Sequence, residues 1–210
     1  VDKGKSPTVR QMAVERTQIA PDARACLRVI NMVDSLMQGA SLGLLRGNAA
    51  GEFIVEGVVA DEATAKALKQ RLKAGSLSYW RSQGALNFTL HGVLPRQSGV
   101  VDGAWGKAEV EKRFGAWRAV AGQSGLATLT FEKPLAVDLG GTRRGLRQKL
   151  WGSGSLAVVG RFVAATAELP GVFLHEFVFD AAPNGGAGRL YAALDVLDGT
   201  TASAAKQEEN

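Results

Sequence analysis

The sequence predicts an α+β fold made of two tandem sandwich units, each an antiparallel sheet with helices on one face. Three observations carry this prediction. Apolar residues at period two mark strands, apolar residues at helical spacing mark helices, and the order helix–strand–strand–helix–strand–strand occurs twice. A tight-turn signal, Asn184-Gly185, joins two of the predicted strands and so makes them antiparallel. The 26 glycines among 210 residues favour turns and short strands over a long helical bundle. The rival, a single α/β domain on a parallel sheet, has no use for such a hairpin.

The first half begins with a helix signal at Pro21-Asp22, a proline in the first turn followed by an acid. Cys26, Ile30, Val33 and Met37 share one face of that helix, and Gly39 ends it. Ser41–Arg46 reads as a short strand, and the run from Gly47 to Gly51 as a turn. Phe53–Val59 alternates, with Phe53, Val55 and Gly57 on one side. Asp61 caps a helix with an apolar stripe of Ala63, Ala67, Leu68 and Leu72, closed by Gly75. Leu77–Trp80 is a short strand. Leu86–Leu94 is a longer one, with Leu86, Phe88, Leu90 and Leu94 on one face.

The second half repeats the order. Trp105–Gln123 is helical, with Val110, Phe114, Trp117 and Ala121 in line. Leu126–Phe131 alternates and ends before Pro134. A loop through Gly140-Gly141 then leads to a strand near Gly145–Gly152. Ser153 or Ser155 caps a helix carrying Val158, Val159, Phe162 and Val163, which ends at Pro170. Val172–Phe179 and Arg189–Leu197 are the last strands. The packing solution for each half is a four-stranded antiparallel sheet with two helices on one face, ferredoxin-like or its circularly shifted form. The expected divisions are an arm over residues 1–20, a first unit over 21–95, a linker over 96–103, a second unit over 104–199 and a tail over 200–210.

Twenty-five Lys+Arg against 20 Asp+Glu leave a net charge of +5, enough for an acidic partner and too little to argue nucleic acid alone. The densest basic spot, Arg143, Arg144, Arg147 and Lys149, reads as a solvated loop and strand edge. The lone cysteine, Cys26, makes no internal disulfide and reads as a small buried hydrophobe. No run approaches about 18 consecutive apolar residues, so no span is expected within the chain. The chain opens on Val1 and polar residues without a visible signal peptide, and a removed upstream segment bearing an anchor is expected.

Catalytic signals do not assemble. The chain lacks G-x-S-x-G, G-x-x-x-x-G-K-[ST], and G-x-G-x-x-G between a strand and a helix. No Cys/His spacing suits zinc, so neither metal nor cofactor is expected. His91 reads as a surface residue. His175, sharing a strand face with Phe173 and Phe177, reads as partly buried and hydrogen-bonded. Glu109 and Glu111 lie two apart on a helix and form no dyad. The weak anion-site candidate is Arg143 and Arg144 after Gly140-Gly141-Thr142, although no helix follows at once. RNA binding lacks its aromatic strand pair, because Tyr79, Trp80 and Trp151 do not lie on one predicted strand pair. Trp105, Phe114 and Trp117 are the candidate partner contacts, with ordinary core as the other reading for the tryptophans.

Two stretches carry a family resemblance. In the second half, Trp151-Gly152-Ser153-Gly154 precedes the helix from Ser155 to Val163. Glu168-Leu169-Pro170-Gly171 then leads into the strand Val172–Phe177, and Arg189–Leu194 closes the region. This region, Gly145 to Asp198, resembles the PilO family of type IV pilus inner-membrane assembly proteins and its type II secretion counterpart GspM. Leu27 to Leu94, with the strand Ile54–Ala60 running into the helix Asp61–Lys73, is similar to the PilN family or the periplasmic domain of GspL. The departures are the tandem arrangement and the short or missing coiled coil. The resemblance implies a non-enzymatic periplasmic subunit, anchored in the inner membrane, that pairs with itself or a sister subunit. A small-ligand- or anion-binding regulatory domain or enzyme on the same scaffold is the alternative, since such scaffolds host many functions.

Overall fold

Local chemistry sets the elements. The computed structural model describes residues 23–36, 40–48, 51–93, 106–140, 143–183 and 186–197. Helix α1 (Ala23–Leu36) buries Cys26, Val29, Ile30 and Val33. Strands β1 (Ala40–Asn48) and β2 (Glu52–Val59) follow. Helix α2 (Glu62–Leu72) starts at Asp61, whose carboxylate accepts from the Thr64 N–H at 2.7 Å and the Thr64 hydroxyl at 2.9 Å. It ends at Lys73 in the left-handed conformation. Strands β3 (Ser76–Ser82) and β4 (Ala85–Val93) form a hairpin. Helix α3 (Lys107–Gln123) precedes β5 (Ala127–Phe131), β6 (Leu135–Gly140) and β7 (Arg143–Gly154). Helix α4 (Leu156–Ala167) is capped by Ser155, and β8 (Val172–Asp180) and β9 (Gly188–Leu197) are the last described elements.

The fold is mixed α+β with antiparallel pairing, as expected, but the strands do not form two sheets. Among the described residues nine strands make one sheet in the order β3-β4-β2-β1-β8-β9-β7-β5, and β6 lies beside β7 next to β5. The halves join where β1 pairs with β8, from Leu44 opposite Asp180 to Asn48 opposite Glu176. Above this seam α1 packs on α4, so the helices line up as α2-α1-α4-α3 over one face. Gly160 of α4 lies over Ile30 of α1, where a Cβ would stand 3.4 Å from the Ile30 Cγ2, at van der Waals contact. The seam forms because both edge strands and both flanking helices present apolar groups, and joining them removes Leu45, Phe177, Phe179 and Ile30 from water.

One core lies between the sheet and the helices. On the covered side, period two sets Phe53, Val55 and Val59 of β2 beside Leu86, Phe88 and Leu90 of β4. Phenylalanine rings on this side lie over glycines of the neighbouring strand. Phe177 lies opposite Gly47, Phe53 opposite Gly92 and Phe88 opposite Gly57. A Cβ on Gly47 would come within 2.5 Å of the Phe177 ring, and one on Gly57 within 2.1 Å of the Ser41 carbonyl oxygen. Here glycine serves close packing rather than a turn. One polar side chain is fully enclosed with its partners. Gln148 donates to the Glu132 carbonyl (2.8 Å) and accepts from Arg118 Nε (3.1 Å), tying α3 to the break between β5 and β6.

Strand β6 falls where the sequence reads as a loop. The expected arm (1–20), linker (96–103) and tail (200–210) lie outside the described residues, as do Met37, Leu94, Trp105 and the Asn184-Gly185 turn. Among the described residues no helix is long and apolar enough to cross a membrane.

Candidate functional site

The face of the sheet opposite the helices carries the polar chemistry. A β-bulge in β8, between Leu174 and Glu176, builds its centre. The extra residue sets His175 beside Asp195 and leaves Glu176 opposite Ala193, so both groups serve the uncovered face. This corrects the expectation that His175 shares a face with Phe177. The bulge shifts the alternation by one, and Phe177 turns into the core at 1% exposure.

Asp195 is the anchor. It sits near the end of β9 and is only 4% exposed although no helix among the described residues covers its face. Arg147, directly opposite on β7, donates from Nε at 2.7 Å and from a terminal nitrogen at 2.9 Å, a bidentate pair. His175 Nδ1 stands 3.4 Å from the second Asp195 oxygen. Glu176 pairs across the seam with Arg46 of β1 at 2.7 Å. On the far side of Arg147, Lys149 pairs with Glu132 at 3.4 Å. Tyr191 and Trp151, opposite each other, set their rings 5.4 Å apart at 54°.

The electrostatics follow this geometry. The hydrogen bonds that Arg147 donates to Asp195 hold its guanidinium protonated, raising its pKa. Burial lowers the His175 pKa below its ordinary 6.5, and Arg147 adds to that, while Asp195 opposes it. Burial pushes the Tyr191 phenol up. The result is a lattice of matched charges with a neutral imidazole and a phenol at its rim. It can hold strands β1, β8, β9 and β7 in register and offer hydrogen bonds to a surface laid against it.

The residues singled out from the sequence lie elsewhere. Phe114 and Trp117 are fully enclosed under α3, where Trp117 packs edge-on against Phe131 and tilted against Phe162. They are core and cannot touch a partner, because α3 turns its apolar stripe inward onto the sheet. Arg144 is exposed opposite Asp138 in the β6–β7 pairing. Strand β7 begins at Arg143, and Gly141-Thr142 of the anion-site candidate lie outside the described residues. His91 is exposed on the uncovered face, as expected. Arg147 and Lys149 of the basic spot occupy an interior strand and are paired. Cys26 is buried.

The sequence reading missed Asp195 and its pairing with Arg147. The one local signal is an acid inside the apolar run Leu190–Leu197. Its partner lies 48 residues away, and only the sheet brings them together. The sequence reading also left Trp80 without a role, and it stands 49% exposed on the outer strand β3. Compared with known proteins, the chain matches no family model, no curated protein and no solved structure.

Proposed function

We propose that the chain is a non-enzymatic structural subunit of a bacterial inner-membrane assembly platform, of the type IV pilus or type II secretion kind, working in the periplasm through protein–protein contacts. The observation that carries this reading is the repeated strand order. The first half runs α1-β1-β2-α2-β3-β4 with sheet order β3-β4-β2-β1, and the second runs α3-β5/β6-β7-α4-β8-β9 with order β8-β9-β7-β5. In each half one helix links two strands with a third strand lying between them, a circularly shifted ferredoxin-like arrangement. That is the arrangement the PilN and PilO resemblances imply for Leu27–Leu94 and Gly145–Asp198. The surface also suits protein contacts. The uncovered face mixes paired charges with exposed aromatics, Trp80 and Trp151, and among the described residues no strand pairs with the outer edge of β3.

Removing the gene from its bacterium tests the reading. Loss of pili or of type II secretion, restored by the wild-type gene, is the expected result. A strain that assembles pili and secretes normally would sink it.

A further inference from the structure

The two outer edges of the sheet are unlike. One is shared by β5 and β6 and interrupted by Glu132-Lys133-Pro134. Its register shifts between Ala127 and Thr130 and again between Asp138 and Gly140. Breaks, bulges and proline blunt an edge against further pairing. The other edge, β3, pairs with β4 over seven residues without a shift, contains no proline and carries a single charge, Arg81.

The phase of its free hydrogen-bonding groups follows from the hairpin. Gln83 (φ 51°) and Gly84 (φ 80°) are both left-handed, the conformation of a two-residue type I′ turn. The closing pair Ser82–Ala85 is therefore hydrogen-bonded, and so are Trp80–Asn87 and Ser78–Thr89. Leu77, Tyr79 and Arg81 turn their N–H and C=O groups outward.

We infer that β3 pairs antiparallel with β3 of a second copy of this chain, about a two-fold axis at Trp80. The inference rests on the protein-binding reading and names the chain itself as one partner. In this register the two Trp80 rings meet at a non-hydrogen-bonded position, where opposed side chains stand closest. Tyr79 exchanges backbone hydrogen bonds with Arg81 of the second copy, ring beside guanidinium. Ser78 meets Ser82, and no like charges are opposed. Helix α2, which packs beside β3, adds charge complementarity. It carries Asp61 and Glu62 at its start and Lys69, Arg71 and Lys73 at its end, and the two-fold sets each acidic end toward a basic one. The chain already contains a precedent. Strand β8 holds in the second half the place that β3 holds in the first, and β1 covers it antiparallel.

A single strand pair is a small interface, so the dimer is weak, with a Kd on the order of 10⁻⁵–10⁻⁴ M. Sedimentation velocity of the purified chain over roughly 10 to 500 µM spans that range. The wild type is expected to move from monomer to dimer. Trp80→Ser and Arg81→Pro are each expected to weaken the dimer at least about tenfold while the thermal melt stays near wild type. The proline is tolerated because the Arg81 N–H points away from β4. Under mild oxidation Ser78→Cys with Ser82→Cys is expected to give a covalent dimer, since non-hydrogen-bonded pairs have a Cα spacing of about 4.5 Å, within disulfide range. A monomer at every concentration overturns the pairing. So does a dimer that ignores both substitutions, or a cysteine pair that fails to cross-link. If the wild type stays monomeric while pilus assembly or secretion still requires the gene, only the β3 pairing falls. A β3 dimer in a chain the cell does not need for either process keeps the pairing and removes the platform role.

Discussion

Replacing Asp195 with asparagine tests whether the charge lattice on the uncovered face stabilises the sheet. The substitution keeps the side chain's shape but removes its charge and turns one acceptor oxygen into a donor. Arg147 then loses one of its bonds, now 2.7 and 2.9 Å long, and faces an N–H in its place. A hydrogen bond to a charged group contributes about 1.5–3 kcal/mol, and breaking a fully buried pair costs about 3–5 kcal/mol. The Arg147 side chain is 23% exposed, so water compensates part of the loss. The expected cost is therefore near the low end, about 1.5–2 kcal/mol. For a chain of this size each kcal/mol lowers Tm by roughly 2–4 °C, which predicts a fall of roughly 3–8 °C. Urea unfolding followed by circular dichroism gives the free energy directly, with the midpoint moving by about 1 M if m is near ~2 kcal/mol/M. The Arg46–Glu176 pair provides the contrast. The Arg46 side chain is 48% exposed, and Arg46→Gln is expected to cost no more than about 1 kcal/mol. A loss below about 0.5 kcal/mol for Asp195→Asn, the size of an ordinary surface change, would refute the reasoning.

Other outcomes follow from the same coordinates. His175 has a folded-state pKa below its unfolded value of about 6.5, so the unfolded chain takes up the proton first as pH falls. Its contribution is fully present above the unfolded pKa and declines as pH drops toward the lowered folded one. His175→Gln should flatten that part of a stability–pH curve, and an unchanged slope would count against burial as the cause. Gly57→Ala drives a Cβ to 2.1 Å from the Ser41 carbonyl oxygen, which the backbone must move to relieve. A loss of about 1–3 kcal/mol is expected in urea titrations, and a neutral result would mean that the β1–β2 spacing is looser than described. Trp117→Ala empties a fully buried site and should cost about 3–5 kcal/mol. Were Trp117 a partner contact instead, the isolated chain would keep its stability and lose only binding.

Much of this fold is written in short-range pattern. Period two in Phe53–Val59 and Leu86–Leu90 determined which side chains enter the core, because alternate residues of a strand point to opposite faces. Asp61 and Ser155 determined two helix starts through bonds to N–H groups three residues on. Strand β6 also left a trace, in Leu135, Val137 and Leu139, but its register turns Leu135 and Val137 to the uncovered face, and Leu135 stays 56% exposed. The tertiary structure alone decided the rest. Backbone edges offer the same N–H and C=O groups whatever their side chains, so nothing local says that β1 joins β8 to make one sheet from two halves. One extra residue in β8 turned Phe177 into the core, off the face where Phe173 and His175 meet Asp195, since a single-residue shift reverses every side chain beyond it. Asp195 and Arg147 lie far apart along the chain, and their pairing exists only once β7 and β9 stand side by side.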